Sequence, residues 1–197
     1  RILLWGDSHA LAWAPGLDSL LKAQGAAALL AVNSACPPLL GVHNPVDSAC
    51  HADNVRLMNA VSKHRFVTII MVASWMSYSS PEGQYILFDD LGRTGNLQVF
   101  APALERTLAK TRKLSDRLIL IGPTPGAPSD IPFAFANALR WRRTLPVSKS
   151  MDIVAKDSSW FWQAAKQHVS DPQLLLVDPM PWFCDRQTCR YASESGE

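Results

Sequence analysis

Five apolar runs of strand length, separated by stretches with helical periodicity, constrain the fold of this chain more than any other feature of its sequence. The runs are nearly continuous rather than alternating, which is typical of strands buried on both faces of a sheet. Alternation of such strands with helices indicates an α/β fold. We therefore predict a three-layer α/β/α sandwich with a mainly parallel five-stranded sheet. The runs are Ile2–Trp5, Ala27–Val32, Phe66–Ala73, Arg117–Ile121 and Gln173–Val177.

The stretches between these runs carry apolar residues at helical spacing. The first of them ends before Gly25, a residue type that commonly ends helices. Asp157 or Ser158 is predicted to cap the last helix. The other helices are predicted over Asn54–Lys63, Ala101–Leu114, Phe133–Leu145 and Ser158–Val169.

Length and composition limit the classes of protein that fit. The 197 residues, 48% hydrophobic and 18% charged, predict one domain with its own core rather than a disordered chain. The formal net charge of +2 argues against bulk electrostatic binding of nucleic acid, and we expect no such partner. The most apolar segments are far shorter than the roughly 20 residues of a membrane span. The basic segment Arg140–Arg143 fits a solvated helix face or a contact with anionic glycan or lipid.

The sharpest motif is Gly6-Asp7-Ser8-His9, directly after the first predicted strand. A serine at a strand-to-helix turn lies at the carboxyl edge of the sheet, close to the free N–H groups of the helix N-terminus. Those donors can stabilise an oxyanion, and Gly6 permits a tight turn. The alternative interpretation is that Asp7 or Ser8 only caps the helix.

Gly6-Asp7-Ser8-His9-Ala10 resembles the nucleophile block of the SGNH hydrolases, also called GDSL-like esterases. Together with Ser34–Leu39, which reads SACPPL, and a late cysteine pair, it resembles the SGNH domain of bacterial acyltransferase-3-type O-acetyltransferases. The resemblance implies an SGNH or flavodoxin-like fold over residues 1–197. It also implies acyl transfer to or from envelope glycans such as lipopolysaccharide O-antigen, through an acyl-serine intermediate.

The same resemblance implies the setting of the chain. We expect a single SGNH-like domain excised from a longer protein, whose N-terminal part is a transmembrane acyltransferase domain. The domain is expected on the periplasmic side of the bacterial inner membrane. Its expected partners are a glycan acceptor and an acetyl donor, with no cofactor and no metal.

By resemblance, Ser8 is the nucleophile, supported by Gly6, Asp7 and His9, with Asp7 fixing the turn rather than acting as the base. The family has an oxyanion glycine after the second strand, where this chain has Asn33 and Ser34. It has an oxyanion asparagine after the third strand, where this chain has Ser74. These three are therefore candidate second donors: Asn33, Ser34 and Ser74.

The resemblance also makes Trp75 a candidate at the substrate edge, because the membrane-linked branch often has a tryptophan there. The family places its base in an Asp-x-x-His block near the carboxyl end. After Val177 this chain has Asp178 and Asp185 but no histidine. We therefore expect that the chain stops short of the block, with Tyr191–Glu197 leading toward it.

Four cysteines allow three disulfide connectivities. Local pairing, Cys36 with Cys50 and Cys184 with Cys189, is the simplest, and the resemblance favours it over a metal site. Disulfides require an oxidising compartment. The C-x4-C spacing of the late pair is loose for zinc.

Two alternatives to the enzyme stay open. One is a degenerate SGNH module that binds glycan or positions its membrane partner without chemistry. The other is an ordinary α/β binding domain in which Asp7 and Ser8 form only a cap or an anion site.

Overall fold

The computed structural model describes residues 1–127, 131–143 and 148–191. The strands are β1 (Ile2–Gly6), β2 (Ala28–Val32), β3 (Val42–His43), β4 (Phe66–Val72), β5 (Phe88–Asp89), β6 (Ser115–Ile121), β7 (Ser148–Ser150), β8 (Leu174–Val177) and β9 (Thr188–Arg190). The helices are α1 (Ser8–Ala23), α2 (Cys50–Val61), α3 (Trp75–Ser79), α4 (Asn96–Thr111), α5 (Ile131–Trp141), α6 (Met151–Ala165) and α7 (Met180–Phe183), with a 3-10 turn at Lys166–His168.

The predicted central sheet is confirmed. It has five strands in the order β2-β1-β4-β6-β8, and each neighbouring pair is parallel. The register places Gly6 beside both Val32 and Val72, so β1, β2 and β4 end at one edge. Ligands of open parallel sheets bind at this carboxyl edge, beside the change in strand order.

Both faces of the sheet are covered by helices. Leu4 and Ile70 pack with residues of α1 on one face. Leu3 and Ile69 pack on the other face with residues of α2, α4 and α6. Consecutive strand residues point to opposite faces, and Leu3 and Leu4 are only 0% and 2% exposed. This two-sided burial explains the continuous apolar run.

The structure corrects several details of the sequence-based prediction. The run that became β2 is not buried on both faces, because β2 is an edge strand whose Leu29 and Leu30 are 51% and 47% exposed. Asp157 and Ser158 cap no helix, because α6 already begins at Met151. Two short antiparallel pairs, β3 with β5 and β7 with β9, were not predicted.

Some predictions fall partly outside the described residues. The predicted helix over Phe133–Leu145 corresponds to α5, and its last two residues are not described. The predicted tail Tyr191–Glu197 lies outside the described part of the chain after Tyr191. Among the helices that are described, none has the length and hydropathy needed to cross a membrane.

Two disulfides close loops at the sheet margin. Cys36 bonds to Cys50, joining the loop after β2 to the first residue of α2. Cys184 bonds to Cys189, joining the residue after α7 to β9. These are the local pairs that the resemblance favoured. By the chain-entropy model, closing a loop of about 15 residues stabilises the fold by around 3 kcal/mol.

Gly6 is required by close packing between strands. A Cβ atom at this position would overlap the carbonyl oxygen of Val72 and lie 2.8 Å from the Cβ of Ala10. Gly6 is not among the residues with positive φ, so a tight turn alone does not explain it. The absent side chain lets β1, β4 and α1 converge directly before the motif serine.

Gly6→Ala is expected to lower the free energy of unfolding by about 2–3 kcal/mol, because the backbone of β4 must move to admit the methyl group. Gly16→Ala is the matched control, because Gly16 is an exposed residue of α1 and a Cβ atom added there would have nothing within 4 Å. This control should be stabilised by about 0.5–1 kcal/mol. Urea unfolding of both variants checks the prediction, which equal stabilities would contradict.

Candidate active site

Ser8 is the first residue of α1 and directly follows the turn at the end of β1. Its side chain is exposed, and no described residue hydrogen-bonds to its hydroxyl. The N–H groups of the first turn of a helix have no partner within the helix, and the helix dipole makes this end positive. The Ser8 hydroxyl, which no described residue binds, therefore lies at a helix N-terminus that stabilises negative charge.

Asp7 holds this turn in place. Its carboxylate is 1% exposed, and Oδ1 accepts a hydrogen bond of 2.8 Å from the N–H of His9 as the N-cap of α1. Oδ2 accepts two bonds of 2.9 Å, from the N–H of Ser74 and the hydroxyl of Tyr78. One carboxylate thus joins the first helix to the segment after β4, as its predicted turn-fixing role requires.

Tyr78 is fully buried, and its hydroxyl donates to a carboxylate. Burial, together with the negative charge of Asp7 and this hydrogen bond, raises the pKa of Tyr78 well above its ordinary value. The folded protein therefore keeps this hydroxyl protonated at pH values where a tyrosine in the unfolded chain ionises.

This raised pKa predicts a loss of stability in alkali. The contribution of Tyr78 is full below about pH 10, the ordinary pKa of tyrosine, and falls as the pH rises further. Tyr78→Phe should cost about 1.5–3 kcal/mol at neutral pH and show a shallower decline above pH 10. Urea unfolding between pH 8 and 11 measures this. A decline above pH 10 that is as steep in Tyr78→Phe as in the parent would contradict the prediction.

Ser8 opens onto a cavity of about 500 Å³ at the carboxyl edge. Its lining includes Trp13 from α1, Thr124 from the loop after β6, and Arg190 from the end of β9. The indole of Trp13 contacts that of Trp182, with ring centroids 5.7 Å apart. Aromatic rings present flat apolar faces, and guanidinium groups bind carboxylates and phosphates, so this wall suits a sugar with anionic groups.

The sequence matches a protein-family model over residues 1–197, and that family is the SGNH domain that is fused to AT3 domains. The chain belongs to this family. It is also similar to a solved structure, the periplasmic domain of the lipopolysaccharide acetyltransferase of Salmonella serovar Paratyphi A. The TM-score is 0.69 at 19% identity, with 100% of this chain and 72% of that chain covered, so this likeness concerns the fold. A comparison with curated proteins finds no match.

Within this SGNH domain, Asn33 has no donor left for an oxyanion. Its backbone N–H donates to the carbonyl of Gly6 at 3.2 Å. Its side-chain amide donates to the carboxylates of Asp47 and Asp53 at 2.9 and 3.0 Å. Ser34 is exposed beside it and stays a candidate donor.

Ser74 and Trp75 follow β4 at the same edge of the SGNH domain. The N–H of Ser74 already donates to Asp7, but its hydroxyl pairs with that of Ser77 at 2.9 Å and can reorient. Trp75 was expected at the substrate edge, and this is wrong for its side chain. The ring is 0% exposed, packs against Phe161, and donates its indole N–H to the carbonyl of Ile121 at 2.7 Å.

Within the described part of the SGNH domain, no histidine hydrogen-bonds to the hydroxyl of Ser8. His9 lines the same cavity, and its Nδ1 lies 3.5 Å from the hydroxyl of Thr124. His64 lies near Arg1, the residue before β1, and therefore at the opposite edge. Burial and the charge of Arg112 lower the pKa of His168, which lies in the 3-10 turn.

The two aspartates after β8 serve local turns. Asp178 accepts from the N–H of Met180 at the start of α7. Asp185 accepts from the N–H groups of Gln187 and Thr188, and these bonds lower the pKa of its carboxyl group.

Sequence reasoning missed several residues that form this site. Tyr78 donates a hydrogen bond to Asp7, which lies 71 positions away in the sequence, and no local sequence pattern predicts that bond. Thr124 lies in the loop after β6, and it lines the cavity together with Ser8. Trp13 and Arg190 come from α1 and from the unpredicted strand β9.

Proposed function

We propose that this SGNH domain adds O-acetyl groups to cell-envelope glycans such as lipopolysaccharide O-antigen, or removes them, with Ser8 as the nucleophile. The observation that carries the proposal is the exposed Ser8 hydroxyl at the N-terminus of α1, above a cavity with aromatic and cationic walls. Membership of a family fused to AT3 domains supports acyl transfer. So does the description of the structural relative as a lipopolysaccharide acetyltransferase.

In the proposed reaction, Ser8 Oγ attacks the carbonyl carbon of an acetyl ester and gives its proton to a base. The N–H of Ser8, at the positive end of the α1 dipole, would stabilise the oxyanion of the tetrahedral intermediate. The donor leaves with a proton, and acetyl-Ser8 remains. A glycan hydroxyl or water then attacks this ester and restores the free serine.

The proposed base is the histidine of an Asp-x-x-His block, as the resemblance implies. None of the 197 residues forms such a block. A serine hydroxyl is a weak nucleophile without a base. We therefore propose that a segment of the full protein outside this sequence supplies the base.

The proposed location is the periplasmic side of the bacterial inner membrane. Two disulfides favour an oxidising compartment. The fusion to AT3 domains, which describes the family, supports an N-terminal transmembrane acyltransferase domain as partner. That partner would deliver the acetyl donor, and the glycan acceptor would enter from the periplasm.

A second candidate function is a degenerate module that binds glycan or positions the membrane partner. One observation favours it. In the described part of the chain no residue bonds to the Ser8 hydroxyl, and both kinds of N–H donor on Asn33 are engaged elsewhere. A binding module needs the cavity but not the nucleophile.

The test uses the protein expressed from its complete gene, incubated with p-nitrophenyl acetate and quenched in acid. Acetyl release, and an acetyl group on the peptide that contains Ser8 by mass spectrometry, are expected. Turnover by residues 1–197 alone should be little or none. Full turnover there would refute the proposed base, while no release and no adduct in the complete protein would favour the binding module.

A further inference from the structure

A cluster of two histidines and an aspartate lies outside the serine site. His43 belongs to β3, His51 is the second residue of α2, and Asp90 directly follows β5. One ligand atom from each of the three residues lies within 4.8 Å of the other two. The three come from separate elements, so the fold and not the local sequence brings them together.

Among the described residues, the contacts of this cluster leave one buried nitrogen without a partner. His43 Nε2 lies 2.7 Å from Asp90 Oδ1. His51 Nδ1 is buried and has no hydrogen-bond partner in the described part of the chain. A buried polar atom without a partner is costly, and most such atoms in folded proteins are satisfied by protein, water or a bound ion. The orphan nitrogen is the observation that points to a ligand.

We propose that His43, His51 and Asp90 form a binding site for a divalent transition metal of the zinc class. Two imidazole nitrogens and one carboxylate oxygen are borderline-to-hard donors that suit Zn²⁺, and three protein ligands leave a fourth position for water. A second group of potential ligands, Cys36, Asp47 and Cys50, is no such site, because its two sulfurs are joined in a disulfide.

The cluster must rearrange to hold a metal. Ligand atoms about 2.0–2.1 Å from a tetrahedral ion lie about 3.4 Å apart, so His43 Nε2 and Asp90 Oδ1, which are 2.7 Å apart, must separate. The imidazoles of His43 and His51 are stacked, with centroids 4.2 Å apart, so both rings must turn to aim nitrogens at one point. The torsion that turns a histidine ring is broad, and turning His43 also changes its stacking on Phe88, whose ring centroid lies 4.8 Å away. The metal would replace the direct His43–Asp90 contact.

A metal here would tie the β3–β5 pair to the first turn of α2, beside the Cys36–Cys50 disulfide. The inference is independent of the serine chemistry, because none of the three residues lines the cavity of Ser8. Its expected consequence is greater stability, since a ligand that binds only the folded state shifts unfolding by mass action.

The experiment titrates untagged, EDTA-dialysed protein with zinc chloride by isothermal titration calorimetry and follows its melting temperature. One zinc ion per chain is expected, with a melting temperature raised by about 5–10 °C at a hundredfold excess over Kd. Binding should be lost in His43→Gln and His51→Gln. His64→Gln is the matched control and should bind zinc as the parent does.

Two further measurements keep the outcome decisive. Asp90→Asn changes a half-exposed side chain, so it should fold normally and bind zinc at least about tenfold more weakly. Co²⁺ in place of zinc should give the visible absorption of a four-coordinate site, absent in His51→Gln. Equal zinc binding by parent, His43→Gln and His51→Gln would overturn the proposal, as would no binding by the parent.

Discussion

Replacing Ser8 with alanine is expected to lower acetyl-ester turnover by about a thousandfold or more, while the free energy of unfolding changes by less than about 0.5 kcal/mol. The expected loss of activity is that of a missing nucleophile, which the remaining site can only partly compensate. Acetyl release by the complete protein, and urea unfolding of the same samples, measure the two quantities.

The separation of activity from stability follows from which residue caps α1. The sequence left open whether Asp7 or Ser8 is the cap, and the structure shows that the side chain of Asp7 accepts the capping bond. Ser8 is exposed, and its hydroxyl contacts no described hydrogen-bond partner. Alanine at the first helical position therefore removes no bond that stabilises the fold.

Ser62→Ala provides the control for this experiment. Ser62 follows α2 at the edge of the sheet opposite Ser8, and its hydroxyl donates to the nearby carbonyl of Asn59. Its turnover should equal that of the parent. Comparable turnover in Ser8→Ala and Ser62→Ala would reject Ser8 as the nucleophile. A large loss of stability in Ser8→Ala would contradict the prediction that the Ser8 hydroxyl does not contribute to the stability of the fold.

The strands of the central sheet were predictable because a strand buried on both faces has a continuous run of apolar residues in its sequence. Leu3 and Leu4 face opposite layers, and both must be apolar. The helix starts were less predictable. Each of α2, α4 and α6 begins several residues before its predicted start, at Cys50, Asn96 and Met151, because the first turns mix polar and apolar residues without a clear period.

The elements that build the site were predictable only where the motif is local. Gly6, Asp7 and Ser8 are adjacent in sequence, and their place at the end of β1 follows from the first apolar run. The direction of Trp75 could not be predicted. It follows a strand at the carboxyl edge, but whether its ring faces the cavity or the core depends on α3 and on the carbonyl of Ile121, which accepts its N–H.

The clearest gap between sequence and structure is the set of groups gathered by one carboxylate. A sequence pattern assigns Asp7 to the turn of a short motif. The fold adds Tyr78, which is buried, and Ser74, both from the segment after β4. Asp7 therefore joins two strand ends of the candidate site, and its replacement tests more than the cap.

Asp7→Ala is expected to lower the free energy of unfolding by about 3–5 kcal/mol and the melting temperature by roughly 10 °C. The lost cap accounts for about 1 kcal/mol. The buried Tyr78 hydroxyl and the part-buried Ser74 N–H both lose their acceptor. Each such loss costs about 1–3 kcal/mol more. Asp7→Asn should lose less, because its amide oxygen still caps α1 while its NH₂ group opposes the other donors.

A double-mutant cycle with Tyr78→Phe isolates the bond that couples the two strand ends. Once Tyr78 lacks its hydroxyl, Asp7→Ala leaves one fewer buried donor without an acceptor. The double variant should therefore be more stable, by about 1–2 kcal/mol, than the sum of the two single losses predicts. Urea unfolding at neutral pH measures all four proteins. Strict additivity would mean that the 2.9 Å bond contributes nothing to stability. An Asp7→Ala protein that melts within about 2 °C of the parent would show that the carboxylate does not hold the turn that presents Ser8.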